Sequence, residues 1–224
     1  MTHHLKVRWE IVQSTEKGFY KIAQELANSV KKPTEIASTG STVLYKTSLF
    51  NRELLIKKST GILSGNERVI KDFHISWFLF KNGVKTPKPL GLIKVDITKA
   101  LFRKSFFIFI RKWSNGIDLD NFLRKEGKKE GKVEEVIKNA IKLLAKIHSL
   151  NYIHTDFFPR NLLVKPDLSV EVFDFEHSKE EERFDVKIDE FIRFIESLRL
   201  FHNINLSEVS LKYLTETYFE ELKL

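Results

Sequence analysis

The chain has 224 residues, with 38 Lys+Arg against 30 Asp+Glu for a formal net charge of +8, 42% hydrophobic and 30% charged residues, and no cysteine. Such a chain can bury a sizeable core as one domain or two small lobes, which excludes disorder and collagen-like repeats. The absence of Cys excludes a disulfide scaffold, thiolate metal sites and a cysteine nucleophile, and points to a reducing cytoplasm. No apolar run resembles a signal peptide or the roughly 18 uncharged residues of a membrane span. The positive balance suits anionic partners, whether nucleic acid, an anionic membrane or phosphorylated ligands, and selects none of them. Its densest basic run, RKEGKKEGK at 124–132, reads as a solvated loop.

In chain order, residues 6–30 are mixed in pattern, with a helix expected near 20–30 and no function attached. A strand-rich stretch follows, with extended segments at 42–48 and 53–58 around the turn-like Phe50-Asn51-Arg52. Val69, Ile70, Phe73, Trp77 and Phe80 recur at three-to-four-residue spacing, so 67–81 is a helix that stops before Gly83. Two prolines make 85–89 irregular. An apolar strand at 106–110 precedes a connector ending at Gly116 and a small helix near 119–123. The strongest helix is 133–150, whose Val133, Val136, Ile137, Ala140, Ile141, Leu144 and Ile147 form one stripe. Strands first and helices later predict an α+β chain of two lobes, 1–112 and 113–224, with the break near 112–116.

The chemistry concentrates directly after that helix. His154-Thr155-Asp156 is followed by Asn161, then by two short apolar segments around Lys165-Pro166-Asp167, then by Asp174. The two segments form a β-hairpin. With the turn centred between Asp167 and Leu168, Asn161 falls opposite Asp174 at the open base. An amide oxygen beside a carboxylate suits a hard cation such as Mg²⁺, which keeps waters and shares substrate phosphates. Asp156 lies five residues upstream, close enough to address a nucleophile bound next to that metal.

His-x-Asp-x-x-x-x-Asn followed thirteen residues later by Asp resembles the catalytic loop and metal-binding Asp of the protein-kinase-like superfamily. The resemblance implies a compact two-lobed kinase-like fold with ATP and Mg²⁺ as cofactors. In it Asp156 accepts or orients the acceptor's proton, Asn161 and Asp174 hold the metal, and His154 shapes the loop by hydrogen bonding. It also implies a phosphate-anchoring Lys on a strand, for which Leu54-Leu55-Ile56-Lys57 offers Lys57 over the adjacent Lys58, and an acidic helix partner, Asp72 or Glu67. A phosphate-covering turn would use Gly40, Ser41 and Thr42, and a hinge against adenine would use 111–113, centred on Lys112. Arg160, four residues after Asp156, would supply charge near the transferred phosphate or an acidic substrate, because Phe158 stands where many protein kinases carry a basic residue. Glu176 stands where they carry the Gly of Asp-Phe-Gly.

The 50 residues after Asp174 are too few for a large peptide-docking lobe. Among compact branches, three segments resemble the lipopolysaccharide-core kinases of the Kdo kinase type. These are the helix running into Gly83-Val84-Lys85-Thr86-Pro87-Lys88-Pro89, the Tyr152-Ile153-His154-Thr155-Asp156 loop, and Asp189-Glu190-Phe191-Ile192-Arg193-Phe194-Ile195-Glu196-Ser197-Leu198-Arg199. The resemblance covers residues 40–199. It implies transfer of the ATP γ-phosphate to a sugar hydroxyl of an acidic, lipid-linked inner-core sugar at the cytoplasmic face of the inner membrane. Peripheral contact with anionic lipid is then expected, and no nucleic acid. The competing readings are a RIO- or Bud32-type protein Ser/Thr kinase, and a pseudokinase or basic binding module.

Overall fold

The computed structural model describes residues 6–28, 33–61, 63–99, 102–126, 130–202, 204 and 208–222. Residues 127–129, inside the basic run, lie outside the described residues, as do 29 and 30 at the end of the expected first helix. The chain divides into two compact units, residues 1–78 with 87–114, and residues 79–86 with 115–224.

The first unit is built on a six-stranded sheet in the order β1-β5-β6-β4-β3-β2. Its strands are β1 (Lys6–Ser14), β2 (Thr34–Ser38), β3 (Thr42–Leu49), β4 (Arg52–Ser59), β5 (Pro89–Lys99) and β6 (Phe102–Lys112), every pairing antiparallel. The mixed N-terminal segment thus contains an edge strand as well as a helix. Its period-two alternation sets Trp9 and Ile11 against the core while Arg8, Glu10 and Val12 face outward. On one face of the sheet, helix α1 (Phe19–Asn28) packs Phe19, Ile22 and Ala23 against Leu54, Ile56 and Ile110. On the other, helix α2 (Leu63–Lys81) packs Val69 and Phe73 against Leu92 and Phe109. Neighbouring residues of one strand, Ile110 and Phe109, therefore serve opposite cores, so both faces of the sheet are covered.

The second unit is organised by helix α4 (Glu130–Ser149), whose seven-residue apolar stripe is buried throughout. Around it lie α3 (Leu119–Glu126), α5 (Phe184–His202) and α6 (Glu208–Leu222). A small sheet β10-β9-β7 joins β7 (Ile117–Asp118), β9 (Leu162–Val164) and β10 (Val170–Val172). A second pairs β8 (Tyr152–Ile153) with β11 (Lys179–Glu180). α2 ends at Gly83, φ +80°, with Val84 N–H donating to Leu79 O and Gly83 N–H to Phe80 O, the left-handed stop that the Gly signalled. α4 ends similarly at Asn151, φ 60°, turning the chain sharply into the 152–161 loop.

Gly91 of β5 makes room for Phe19 of α1: a Cβ there would fall 2.3 Å from Cε1 of that ring. Gly91→Val is expected to push that ring out of its core and destabilise the protein by about 1–3 kcal/mol, read as a lower urea midpoint at unchanged m-value.

Candidate active site

In the first unit, strand alternation separates the two adjacent lysines of β4. Lys57 shares its face with Leu55 and turns toward α2, where Nζ meets Asp72 Oδ2 at 2.8 Å, with the side chains 5% and 0% exposed. Ser76, one turn on, donates its hydroxyl to Asp72 Oδ1 at 3.2 Å, so both carboxylate oxygens are engaged. Lys58 goes to the opposite face, where Nζ sits 4.5 Å from the Phe106 ring centroid and burial lowers its pKa, with Lys104 adding to the effect. The ion pair is thus Lys57 with Asp72, and neither Lys58 nor Glu67 takes part in it.

The β2–β3 turn is tied to itself. Thr39 N–H donates to Thr42 O at 2.8 Å, and Thr42 N–H to the Thr39 hydroxyl at 3.1 Å. Thr60 N–H donates to Ser41 O at 3.0 Å, and Arg68 Nη1 lies 3.4 Å from the Ser41 hydroxyl. Gly40 has open space around its missing Cβ, whereas a Cβ on Gly65, in the first turn of α2, would lie 2.4 Å from Ser41 O. The glycine that this turn requires is therefore Gly65 on the helix behind it; that helix starts at Leu63, ahead of the 67–81 expected from the sequence, so no local motif marked the residue. At the end of β6, Lys112 is exposed, its N–H donates to Lys88 O, and Trp113 N–H donates to Glu53 O, both at 2.9 Å. The amide of Lys112 is thus spent on closing the sheet.

In the second unit, β8 leads into His154, which is fully buried. Its ring packs against Phe157 and Phe175 at centroid distances of 5.9 and 5.1 Å, its Nε2 donates to Phe173 O at 3.1 Å, and burial lowers its pKa. A neutral, enclosed imidazole is a structural piece of the loop and no proton acceptor for a substrate. Thr155 takes a left-handed φ of 65°, and the next residue, Asp156, is 26% exposed in its side chain. Asp156 Oδ1 accepts from Arg160 Nη2 at 2.6 Å, and Oδ2 from Asn161 Nδ2 at 2.8 Å. Asn161 Nδ2 also donates to Asp156 O at 2.9 Å. Pro159–Asn161 form a single 3-10 turn that brings both partners back to Asp156. Arg160 is 67% exposed, and its guanidinium carbon lies 5.3 Å from the Phe158 ring centroid. The aromatic at 158, which departs from the protein-kinase pattern, serves as a shelf for the arginine.

The hairpin runs one residue out of the expected register. Val164 pairs with Val170, Leu163 with Glu171 and Leu162 with Val172, so the position opposite Asn161 is Phe173, and Phe173 N–H donates to Asn161 O at 3.1 Å. The cause is the connection: Leu168 turns left-handed, φ 63°, making a five-residue loop that centres on Asp167. Asp174 follows the ladder in a left-handed conformation, φ 71° and ψ 63°, so strand alternation no longer governs where its carboxylate goes. With Nδ2 committed to Asp156, the Asn161 amide offers its oxygen, and Asp174 offers a carboxylate. This donor set fits a hard divalent cation that draws its other ligands from water and phosphate. Among the described residues there is no cluster of three or more His, Cys, Asp or Glu groups of the kind that cages a metal by itself.

Behind the loop, Glu190 of α5 is 2% exposed. Its Oε2 accepts His154 N–H at 3.0 Å and lies 2.9 Å from His148 Nε2 on the last turn of α4. Burial opposes its charge, but the hydrogen bonds from His148 and from the His154 amide hold its pKa below the usual carboxylate value. Lys187, one turn earlier on α5, donates to Asn151 Oδ1 at 2.7 Å, and Phe194 packs edge-on to Phe157 at 5.1 Å. One helix therefore grips the loop at its entry, its middle and its aromatic flank. The sequence shows Glu190 within the 189–199 segment and His148 near the end of the 133–150 helix, 42 positions apart, with nothing local to join them.

Two comparisons bear on identity. The chain is similar in structure to a WaaP determined in complex with acyl carrier protein, with a TM-score of 0.64 over 95% of this chain and 89% of that one at 14% sequence identity, a likeness that establishes a kinase-like fold. Residues 48–218 match the family described as "Lipopolysaccharide kinase (Kdo/WaaP) family", which spans the Lys57–Asp72 pair, the 154–161 loop and the hairpin. Neither comparison favours the protein Ser/Thr kinase or the binding-module reading. The chain belongs to the lipopolysaccharide kinase (Kdo/WaaP) family, and it is a phosphotransferase that acts on a sugar hydroxyl of the lipopolysaccharide core.

Proposed function

We propose that the reaction is transfer of the γ-phosphate of Mg²⁺-ATP to a hydroxyl of an acidic inner-core sugar, lipid-linked Kdo or a close relative, at the surface of the membrane that carries it. The observation that supports this most is the Asp156 carboxylate, held between Arg160 and Asn161 on an accessible loop in a chain of this family. Asp156 accepts or orients the hydroxyl proton. Its two hydrogen bonds fix the carboxylate, so little reorganisation remains for the transition state. Asn161 Oδ1 and the Asp174 carboxylate would hold Mg²⁺, whose chemistry is to neutralise phosphate charge as the bond to the leaving ADP breaks. Lys57, oriented by Asp72, binds the nucleotide's phosphates, while the turn at Gly40, Ser41 and Thr42 covers them. Arg160 keeps donors beyond the one given to Asp156, and these meet the transferred phosphate or the acid group of the sugar.

Peripheral membrane binding completes the reading. Among the described residues no helix is long and apolar enough to cross a membrane. The net charge of +8 suits an anionic surface, where each basic residue contributes about 1 kcal/mol. The acyl carrier protein in the similar structure is a partner of that WaaP. For this chain the proposed partners are ATP and the anionic glycolipid.

The decisive measurement is a mass gain of about 80 Da, one phosphate, on lipid-linked Kdo incubated with enzyme and Mg²⁺-ATP. Labelling of a generic protein and not the lipid would overturn the acceptor assignment. Asp156→Asn is expected to lower kcat by about 10²–10⁴-fold with little change in the KM for ATP. Lys57→Met should cost about 10²–10³-fold in turnover and, by removing the cation paired with the buried Asp72 carboxylate, also lower the denaturation midpoint. Asp72→Ala, which removes the carboxylate paired with the buried Lys57 ammonium, should also destabilise the fold, read as a lower midpoint in chemical denaturation. Gly65→Ala drives a methyl against Ser41 O, and a several-fold rise in the KM for ATP at unchanged kcat would mark the displaced turn.

A further inference from the structure

Tyr218 lies on α6, outside every motif that carries the phosphotransfer chemistry, yet it is completely buried and its hydroxyl is 2.5 Å from Nδ1 of His148. Its ring stacks on Phe191 of α5, centroids 4.4 Å apart at 25°, so the hydroxyl cannot turn away without losing that stack. Burial, with Glu190 nearby, pushes the phenol's pKa up, and the hydroxyl keeps its proton.

The protons in this group can be placed one by one. The Glu190 carboxylate is ionised and has none to give, so His148 Nε2, 2.9 Å from Oε2, must carry one. Burial lowers the pKa of His148, partly offset by Glu190, and the ring is neutral, which leaves Nδ1 as a lone pair. The group facing that lone pair is the Tyr218 O–H, which therefore donates. In the opposite tautomer, Nδ1–H would confront the hydroxyl while a lone pair at Nε2 faced a carboxylate.

We propose that Tyr218 is a positioning residue for phosphotransfer: by donating to His148 Nδ1 it locks the tautomer in which His148 Nε2–H and His154 N–H converge on one oxygen of Glu190, and so fixes the backbone that presents Asp156. The proposal rests on the reading of Asp156 as the group that meets the acceptor hydroxyl. Through this relay the C-terminal helix becomes part of the catalytic loop's support. Removing the hydroxyl leaves a buried acceptor without its donor, frees the imidazole to change tautomer, and loosens one of the two donors on Glu190 Oε2.

Tyr218→Phe in the full chain keeps the aromatic stack and removes only the hydroxyl. Its kcat is expected to fall about tenfold, with an unchanged KM for ATP and a melting temperature lower by only a few degrees, so that the protein stays fully folded at the assay temperature. In a His148→Gln background, where an amide can still donate to Glu190 but no ring nitrogen faces Tyr218, the same change should have no further effect on kcat. Amide hydrogen exchange at His154 supplies a second arm that needs no other variant, and faster exchange in Tyr218→Phe is expected. Parental kcat, parental exchange at His154, or an undiminished loss in the His148→Gln background would each overturn the proposal. A fall in melting temperature that accounts for the whole loss of activity would do the same. Failure of Asp156→Asn to slow turnover would strike the reading beneath it instead, and the exchange measurement is independent of that result.

Discussion

A single carboxylate oxygen, Oε2 of Glu190, carries the arrangement on which the second unit's chemistry depends. It is buried, charged and shared by the His154 amide and the His148 imidazole. A buried charge is tolerated only where donors surround it, and losing one of them costs far more than the pair is worth in water. The donors here belong to the segment that must be held still, so the cost of burying Glu190 becomes a penalty on any movement of the loop. Asp156 is thereby presented from a backbone that α5 has already fixed, and its own hydrogen bonds to Arg160 and Asn161 need only set the side chain.

The first unit solves a parallel problem by strand alternation. β4 is covered on both faces, and the consecutive residues Ile56 and Lys57 go to opposite sides, one into the core under α1 and one toward α2. A lysine on the buried side requires a counter-charge, which Asp72 supplies from α2, and Ser76 fastens that carboxylate in turn. The turn between β2 and β3 is packed from behind at Gly65, so the same helix supports both nucleotide-side elements of the proposal.

Short loops took the chemistry where regular elements could not. Three left-handed residues, Asn151, Thr155 and Asp174, mark the exit of α4, the approach to Asp156 and the end of the hairpin. Each is a place where continuing the helix or the ladder would carry a functional side chain away, and two of them are tied by side-chain hydrogen bonds to a neighbouring element. Thr155, for example, donates its hydroxyl to His177 O at 3.1 Å, and Asn151 receives Lys187.

Much of this was legible in the chain itself. The apolar stripes of α2 and α4, the stop at Gly83 and the spacing of Asp156, Asn161 and Asp174 are local patterns, and local sterics and periodicity are sufficient to read them. The lysine ambiguity was open because alternation says only that Lys57 and Lys58 diverge, and which face holds an acid depends on where α2 packs. The hairpin register was off by one because it hung on a single left-handed residue, Leu168, that no turn signature at Pro166-Asp167 announces. The Tyr218, His148, Glu190 and His154 relay was invisible, since its members are 70 and 42 residues apart at its two side-chain links. Sequence determined which chemistry the chain could carry and in what order along it. Only tertiary packing decided which polar groups would be buried together, because the cost of an unpaired buried charge is set by neighbours that the fold alone brings into contact.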